Sequence, residues 1–524
     1  MPKNELPALG LLLRHGGLLL AAYFGIHVVT RMLVTSTLGL DEAEQLLFAR
    51  ELEAGYGVQP PLYTWLQWFV FRFTGPTIFG LALLKNLLLA ATYAFTYAAA
   101  RTMLGRRDMA LVAAASLLFL HQVAWEAQRD LSHSVLVTAC AAGLLYALVK
   151  TIRDGRPGAF AALGLFLGAG LVAKYSFALY AVALLGAAAW LPETRARLLR
   201  PSLGITVAIA AAVVLPHSLW LLHHLDEVTL SVIHDLDGKE PLSVPMRLGV
   251  GWGSLLWALF QFLTPLWLVY GLVLWRRPRG AGCAPPPDDL WRRLMVRYGL
   301  LVLLGMTLLI LFTESAYFKT RWMLPYAYLA PIVFLLLLHQ RLTPHRLEAF
   351  ARIAAGFALL VLVAMPARIL LYDILDAPDE INAPVADIAA QLSLRGWNGG
   401  VLITDENYLA GTLQLHLPGT VVVDANRDRP APDHLLAGRC GIILVWEDAR
   451  LASPPSPVLR AYGRLTGMAW QGGDGLTLEA PYAYSDRVFR VGAAHDGDAC
   501  VGPERSLGAG PHGSGHHMRS SGTS

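Results

Sequence analysis

Ionisable side chains gather in four short stretches of this 524-residue chain, each beside a long apolar run. Asp41, Glu42, Glu44, Arg50, Glu51 and Glu53 follow the first run; His121, Glu126, Arg129, Asp130 and His133 crowd a second stretch. Lys174 and Tyr175 form a third, and Glu314, Lys319 and Arg321 a fourth. Carboxylates can take a proton from an attacking group, and fixed cations can stabilise charge that gathers on a departing anion. Ionisable residues at span ends on one membrane face are costly unless solvated or paired, so such a set marks a site lining an outward cavity.

The elements that must hold these residues follow from composition. The chain is 55% hydrophobic and 15% charged, with a positive mean hydropathy, which excludes an ordinary globular enzyme and a disordered chain. Apolar runs of about 18–25 residues recur to about residue 371, and about eleven of them are long enough to cross a bilayer as helices. Lys/Arg clusters fall in every second loop: Arg101, Arg106 and Arg107; Lys150, Arg153 and Arg156; Arg195, Arg197 and Arg200; Arg276, Arg277, Arg279, Arg292, Arg293 and Arg297; Arg341, Arg346 and Arg352. The positive-inside rule assigns these to the cytoplasm, so the N-terminus is expected inside. The loops near 35–76, 121–132, Lys174, 223–248 and 313–321, with the C-terminal tail, are expected outside. The run Leu11–Val34 is longer than a signal-peptide core and reads as a retained span. The net charge of +4 is accounted for by the cytoplasmic loops and gives no reason to invoke nucleic acid.

Beyond residue 371 the pattern changes. VLITD (401–405), TVVVD (420–424) and GIILVW (441–446) are short β-branched runs, which predict a small α/β domain over 372–500 on the outer, periplasmic side. It carries no Gly-rich phosphate loop and no metal-spaced Cys/His set, so acceptor binding or structural support is its expected use. Cys440 and Cys500 can pair there if the compartment is oxidising, whereas Cys140 and Cys283 fall in a span and a cytoplasmic loop. Residues 501–524 are polar, Gly/Ser-rich and expected to be disordered.

Structural readings stand beside the chemical ones. Asp41 with Glu44 fits a capping box that starts an amphipathic surface helix, DEAEQLLFARELEAG. Pro60 and Pro61 can simply start the next helix, Arg129 and Asp130 can form a structural ion pair, and Lys85 and Asn86 can hydrogen-bond to neighbouring helices. A transporter would use the same spans but needs internal repeats or paired broken helices; no repeat is evident, and Gly168 and Gly170 interrupt one span only.

In order along the chain come LDEAE (40–44), PPLYTW (60–65), WEAQRDLSHSVL (125–136), LVAKYSFAL (171–179) and KTRWMLP (319–325). This series resembles the bacterial membrane glycosyltransferases of the GT-C fold, in the branch of the protein O-mannosyltransferases and the lipid A aminoarabinose transferases. The resemblance covers about 1–340 and implies a polytopic α-helical catalytic domain over 1–371, with an active-site loop near 35–76. It further implies an enzyme of the bacterial inner membrane, moving a sugar from a polyprenyl-phosphate donor to an outer-face acceptor with inversion. Lipid A or lipopolysaccharide core is the expected acceptor; protein O-glycosylation, glycan polymerisation and flipping of a lipid-linked sugar are the alternatives.

Asp41 matches the family's catalytic aspartate and is the expected base, with Glu42 the second candidate. Arg129, Lys174, Lys319 and Arg321, with Tyr175 and Gln59, are expected on donor phosphate or sugar; Asp130, His133, Pro60 and Tyr63 are expected to support them. Asp130 can orient a cation, or hold a divalent metal with Asp41 or His133, but no ligand spacing requires one and the cofactor stays open. The aminoarabinose transferases carry an arginine three residues after the aspartate and a lysine just before the proline pair; Glu44 and Gln59 stand there here. Donor recognition must therefore differ, and the wording around DEAEQ and GYGVQPPLYTWLQ looks closer to the rhizobial galacturonic acid transferases.

Overall fold

The computed structural model describes residues 6–501 apart from 58, 226–241, 276–287, 314–315, 377–378, 398, 428–430, 448–452 and 473–474. Glu314, Arg276, Arg277, Arg279, Cys283, much of the expected outer loop 223–248 and the tail from 502 lie outside the described residues. The chain divides into two compact units, one running to Ala383 and including Ala483–Ser485, the other made of Pro384–Tyr482 and the residues from Asp486 onward.

The first unit is helical. Among the described residues, seven helices are long and apolar enough to span a membrane, and ten spans result if each of three sharply bent helix pairs counts as one. The expectation of about eleven is approached only by adding the helix Pro157–Leu171, whose 15 residues rise about 22 Å, short of the roughly 30 Å hydrocarbon core. The helix His133–Asp154 is buried along almost its whole length. The outer spans leave large side chains such as Leu18, Val207 and Leu272 exposed, as helices facing lipid do.

Helix α1 (Pro7–Val34) begins with proline in its first turn and has no side-chain cap of its own. Glu348, from the helix Pro344–Leu370, accepts from the amides of Ala8 (3.1 Å) and Leu9 (2.7 Å). A carboxylate there satisfies two amides that have no partner within the helix and complements the helix dipole. Gly168 and Gly170 do not interrupt their helix, which runs through both. Gly164 and Gly168 let it approach the helix Leu203–His223 closely: a Cβ at Gly164 would stand 2.5 Å from the Thr206 carbonyl oxygen, and one at Gly168 2.8 Å from Val213 Cβ. This is the small-xxx-small contact of membrane helices.

Short elements sit at one end of these spans: α2 (Leu40–Phe48) and α3 (Leu62–Thr74), before α4 (Ile78–Met103). Helix α2 buries Ala43, Leu46 and Leu47, a stripe at i, i+3 and i+4. It ends at Phe48 instead of continuing to residue 55, because the chain then turns back on itself. The Tyr56 hydroxyl donates to the Glu51 carbonyl (2.6 Å) and accepts from the Glu53 amide (2.8 Å), while Trp65 Nε1 donates to the Glu53 carbonyl (2.6 Å). Pro60 and Pro61 lead into α3, as expected.

The second unit holds a five-stranded sheet in the order β2-β1-β3-β5-β4. Strands β1 (Val401–Thr404), β2 (Val421–Asp424) and β3 (Cys440–Trp446) are parallel and match the three β-branched runs; β4 (Leu476–Pro481) and β5 (Val488–Cys500) add antiparallel at the β3 edge. A disulfide joins Cys440 to Cys500, while Cys140 is free and buried.

Candidate active site

The site is built where a span breaks. The helical stretch Arg107–Phe119 gives way to Gln122–Arg129 with a 76° bend, and Gln122–Glu126 forms a π-helical turn. Such breaks free backbone groups and are tolerated in membranes where they line a polar space. This one brings Gln128, Arg129, Asp130 and Ser132 beneath α2.

Asp41 lies in the first turn of α2. Its Oδ2 accepts from the Ser132 amide at 2.7 Å, and its own amide donates to Asp130 Oδ1 at 3.3 Å. It does not cap its helix: the N-cap is Gly39, whose amide donates to Glu42 Oε2 at 3.2 Å. The expected pairing of Asp41 with Glu44 is thus replaced by Gly39 with Glu42, and the Asp41 carboxylate points across to the broken span. Burial first, then the negative charges of Asp130 and Glu44, push Asp41 up to about 7. Asp130 is raised as well, by burial, against the pull of Lys85.

Glu42 is engaged differently. It is 4% exposed, and Arg31 at the end of α1 grips it through Nε (3.1 and 3.2 Å) and Nη2 (2.6 Å). Burial alone would raise this acid, but Arg31 and Lys85 hold it down to about 2. A carboxylate so held is poorly suited to taking a proton. Lys85, 3% exposed in α4, lies 3.9 Å from Glu42 Oε1 and donates no hydrogen bond. Its neighbour Asn86 accepts from Gln128 Nε2 at 2.8 Å, the interhelical bond expected of Asn86 but not made by Lys85 among the described residues.

Arg129 pairs with Glu126 (3.7 Å) and Asp379 (3.4 Å) rather than with Asp130. Asp379 is held far below the usual carboxylate range by its hydrogen bond to Glu380 and by Arg368 and Arg129. On the other flank, Lys174 Nζ donates to Ser134 Oγ at 3.0 Å, His133 Nε2 lies 3.3 Å from Gln45 Nε2, and the Tyr63 and His133 rings are 5.6 Å apart. The run Ser132–Ser134 therefore connects Asp41, His133, Tyr63 and Lys174.

The remaining expected residues stand apart. The Tyr175 hydroxyl lies 3.1 Å from His217 Nε2, and Gln59 bridges to Tyr56. Arg321, on the helical turn Thr320–Met323, and Lys319, just before it, are exposed, with Lys319 over Trp322 at 5.8 Å; no hydrogen bond or ion pair joins either to α2 among the described residues. No group of three or more His, Cys, Asp or Glu side chains is arranged to hold a metal among the described residues. Arg31, Ser132 and Asp379 were not singled out from sequence; Arg31 alone carried a signal, a cation at a span end just before the acidic stretch.

In the second unit, a cavity of ≈ 510 Å³ is lined by Ala425, Asn426, Arg427, Arg460, Gly463 and Arg464. Arg460 and Arg464 are exposed, one helical turn apart on Ser456–Thr466, and Arg427 pairs with Asp424 at 3.1 Å.

Residues 58–220 match the family model described as dolichyl-phosphate-mannose-protein mannosyltransferase. The lipopolysaccharide core galacturonosyltransferase RgtB of Rhizobium johnstonii is 32% identical over 491 residues, covering 91% of this chain and 96% of that protein. RgtA of the same organism, of the same description, is 30% identical over 492 residues, covering 92% and 97%. In fold, the chain is similar to ArnT from Cupriavidus metallidurans bound to undecaprenyl phosphate, with TM-score 0.58, 15% identity and coverage of 94% of this chain and 100% of that one. The apo form of that protein gives a TM-score of 0.56 at 14% identity, with coverage of 91% and 97%.

Proposed function

We propose that this chain, which belongs to the family of GT-C membrane glycosyltransferases represented by the lipopolysaccharide core galacturonosyltransferases, transfers a uronic acid residue from a polyprenyl-phosphate carrier to lipopolysaccharide core or lipid A. The acceptor hydroxyl oxygen attacks the anomeric carbon and gives its proton to Asp41. The bond from that carbon to the phosphate oxygen breaks with its electron pair going to the polyprenyl phosphate, so the product is inverted. The observation that carries this reading is Asp41 itself, fixed by the Ser132 amide at 2.7 Å and pushed up to about 7, where a base gains most in proton-transfer strength while staying partly ionised.

The leaving phosphate gathers charge as the bond breaks, and a fixed cation stabilises it more in the transition state than before it. Lys174 takes that role beside Ser134, and Lys319 and Arg321, exposed and without an ion pair among the described residues, remain available to the donor's phosphate or carboxylate. Tyr175 and Gln59 are assigned to the donor's phosphate or sugar. Glu42 is assigned to holding α2, and Asp130, His133, Pro60 and Tyr63 to support. The arginine-lined cavity of the second unit fits an anionic core oligosaccharide, which favours acceptor binding as that unit's use.

The site and the second unit are assigned to the periplasmic side, with the N-terminus in the cytoplasm. Support comes from the alternating Lys/Arg loops and from the Cys440–Cys500 disulfide, a bond that persists in oxidising compartments.

The test is mass spectrometry of lipid A and core from a deletion strain complemented with wild type or Asp41→Asn. A uronosyl mass present with wild type and absent from both the deletion and the folded variant is expected. A different glycosyl mass overturns the choice of sugar, full modification by Asp41→Asn overturns the base, and a deletion that leaves these lipids unchanged overturns the acceptor.

A further inference from the structure

A buried ammonium in a membrane helix is an expensive group, tolerated where it is paired or used. Lys85 projects from α4 with its Nζ out of contact with solvent and free of hydrogen bonds among the described residues. It borders a small cavity, ≈ 50 Å³, between α1, α2, α4, the broken span and the helix Pro344–Leu370.

The charges around it come from every side. Helix α1 supplies Arg31 and His27, α2 supplies Asp41, Glu42 and Glu44, α3 supplies Tyr63, the broken span supplies Arg129 and Asp130, and the last helix supplies Arg368. Most of the cations are already committed. Arg31 donates to Glu42 and to the carbonyls of Thr35 (2.9 Å) and Thr37 (2.8 Å). Arg129 pairs with Glu126 and Asp379, and Arg368 with Asp379 at 2.6 Å. Asp41 and Asp130, tied to each other through the Asp41 amide, form no ion pair with these three arginines among the described residues. Lys85 is 3.9 Å from the Glu42 carboxylate next in sequence to Asp41.

We propose that Lys85 is a positioning residue for the transfer reaction, a single buried charge that holds the carboxylates of Asp41, Glu42 and Asp130 in one cluster and keeps Asp41 able to accept the acceptor's proton. It touches neither substrate nor the reacting atoms and acts through Asp41. The inference rests on the reading of Asp41 as the base. Its influence is electrostatic and short in range, and an opposite charge within about 4–6 Å shifts a carboxylate by about 1–3 pH units; the 3.9 Å contact to Glu42 sets Lys85 at the residue next to Asp41. Lys85 also lowers Asp41, Glu42 and Asp130 together, in keeping with the geometry.

The test uses the full chain in phospholipid nanodiscs, with polyprenyl-phosphate uronic acid as donor and lipopolysaccharide core as acceptor, and follows initial rate from about pH 5 to about pH 9. Lys85→Met is expected to move the acidic limb of the profile up by about 1–2 pH units, with the rate recovering on the alkaline side, and Lys85→Arg to bring the limb back. A limb that stays in place in Lys85→Met, or a loss equal at every pH, overturns the proposal. Lys85→Gln, which keeps a polar head, is judged by the same criteria if thermal unfolding shows Lys85→Met to be misfolded. Asp41→Asn separates the two readings. If it retains transfer, the base assignment fails; if it abolishes transfer while Lys85→Met leaves the limb unmoved, only the role of Lys85 falls.

Discussion

Asp41 and Asp130, 89 residues apart in sequence, are joined through one turn: the Asp41 amide donates to the Asp130 carboxylate at 3.3 Å, and the Asp41 carboxylate accepts from Ser132 two residues further on at 2.7 Å. Two acids are thus held close by backbone groups of the same turn. Like charges so placed resist joint ionisation, and the base of the proposed reaction is tuned by its own scaffold.

Asp41→Asn should keep this turn, because the amide oxygen can still accept from Ser132, while removing the base. Transfer is expected to fall by about 10²–10⁴-fold with the melting temperature little changed. Single-turnover assays with purified protein check this; a loss below tenfold would move proton transfer to another group.

The pH dependence follows from the direction of the Asp41 shift. With its carboxyl raised to about 7, the fraction able to accept a proton falls as pH drops, so kcat/KM should decline with unit slope below about pH 7 and level off above it. A rate profile on the wild type reads this directly, and a profile flat down to the ordinary aspartate range would exclude Asp41 as the titrating group.

Glu42 is expected to contribute to stability through its pairing with Arg31. Its folded carboxyl lies near 2, below the ordinary 4.5, so its contribution is complete above about pH 4.5 and is lost as pH falls toward 2. Removing one partner of a buried pair leaves the other uncompensated and costs about 3–5 kcal/mol. Arg31→Met and Glu42→Gln should each lower the melting temperature at neutral pH, and the Glu42→Gln deficit should shrink on acidification in calorimetric scans.

Arg460 and Arg464 stand a turn apart at the arginine-lined cavity of the second unit. The double variant Arg460→Glu, Arg464→Glu should raise KM for the lipopolysaccharide acceptor at least about tenfold and leave kcat within about twofold, since two cations become two anions in the path of an anionic ligand. Steady-state kinetics with varied acceptor decides it; an unchanged KM removes the acceptor role from this cavity.

What was legible in the sequence was what depends on local pattern. Apolar run length set out the spans, and the β-branched runs set out β1, β2 and β3. Strands β4 and β5 escaped notice because GAAHDGDAC and LTLEAP lack a continuous β-branched stretch; they are strands because β3 offers an edge for them. At the site, Asp41, His133, Tyr63 and Lys174 were foreseen and are connected through Ser132–Ser134. The partners of Glu42 were not, since Arg31 and Lys85 reach it from two different spans and nothing in spacing reveals which helices touch. Lys319 and Arg321 illustrate the converse: the right residue types in a suitable loop, without a hydrogen bond or ion pair to the cluster on α2 among the described residues.

Glu348 completes the first turn of α1 from a helix more than three hundred residues later in the chain. Until that helix has been synthesised and inserted, the amides of Ala8 and Leu9 lack this partner, and α1 has not acquired its final anchorage. Arg31 lies at the far end of the same helix and anchors α2 through Glu42. Both ends of α1 are therefore tied to carboxylates, one from the adjacent α2 and one from the helix Pro344–Leu370.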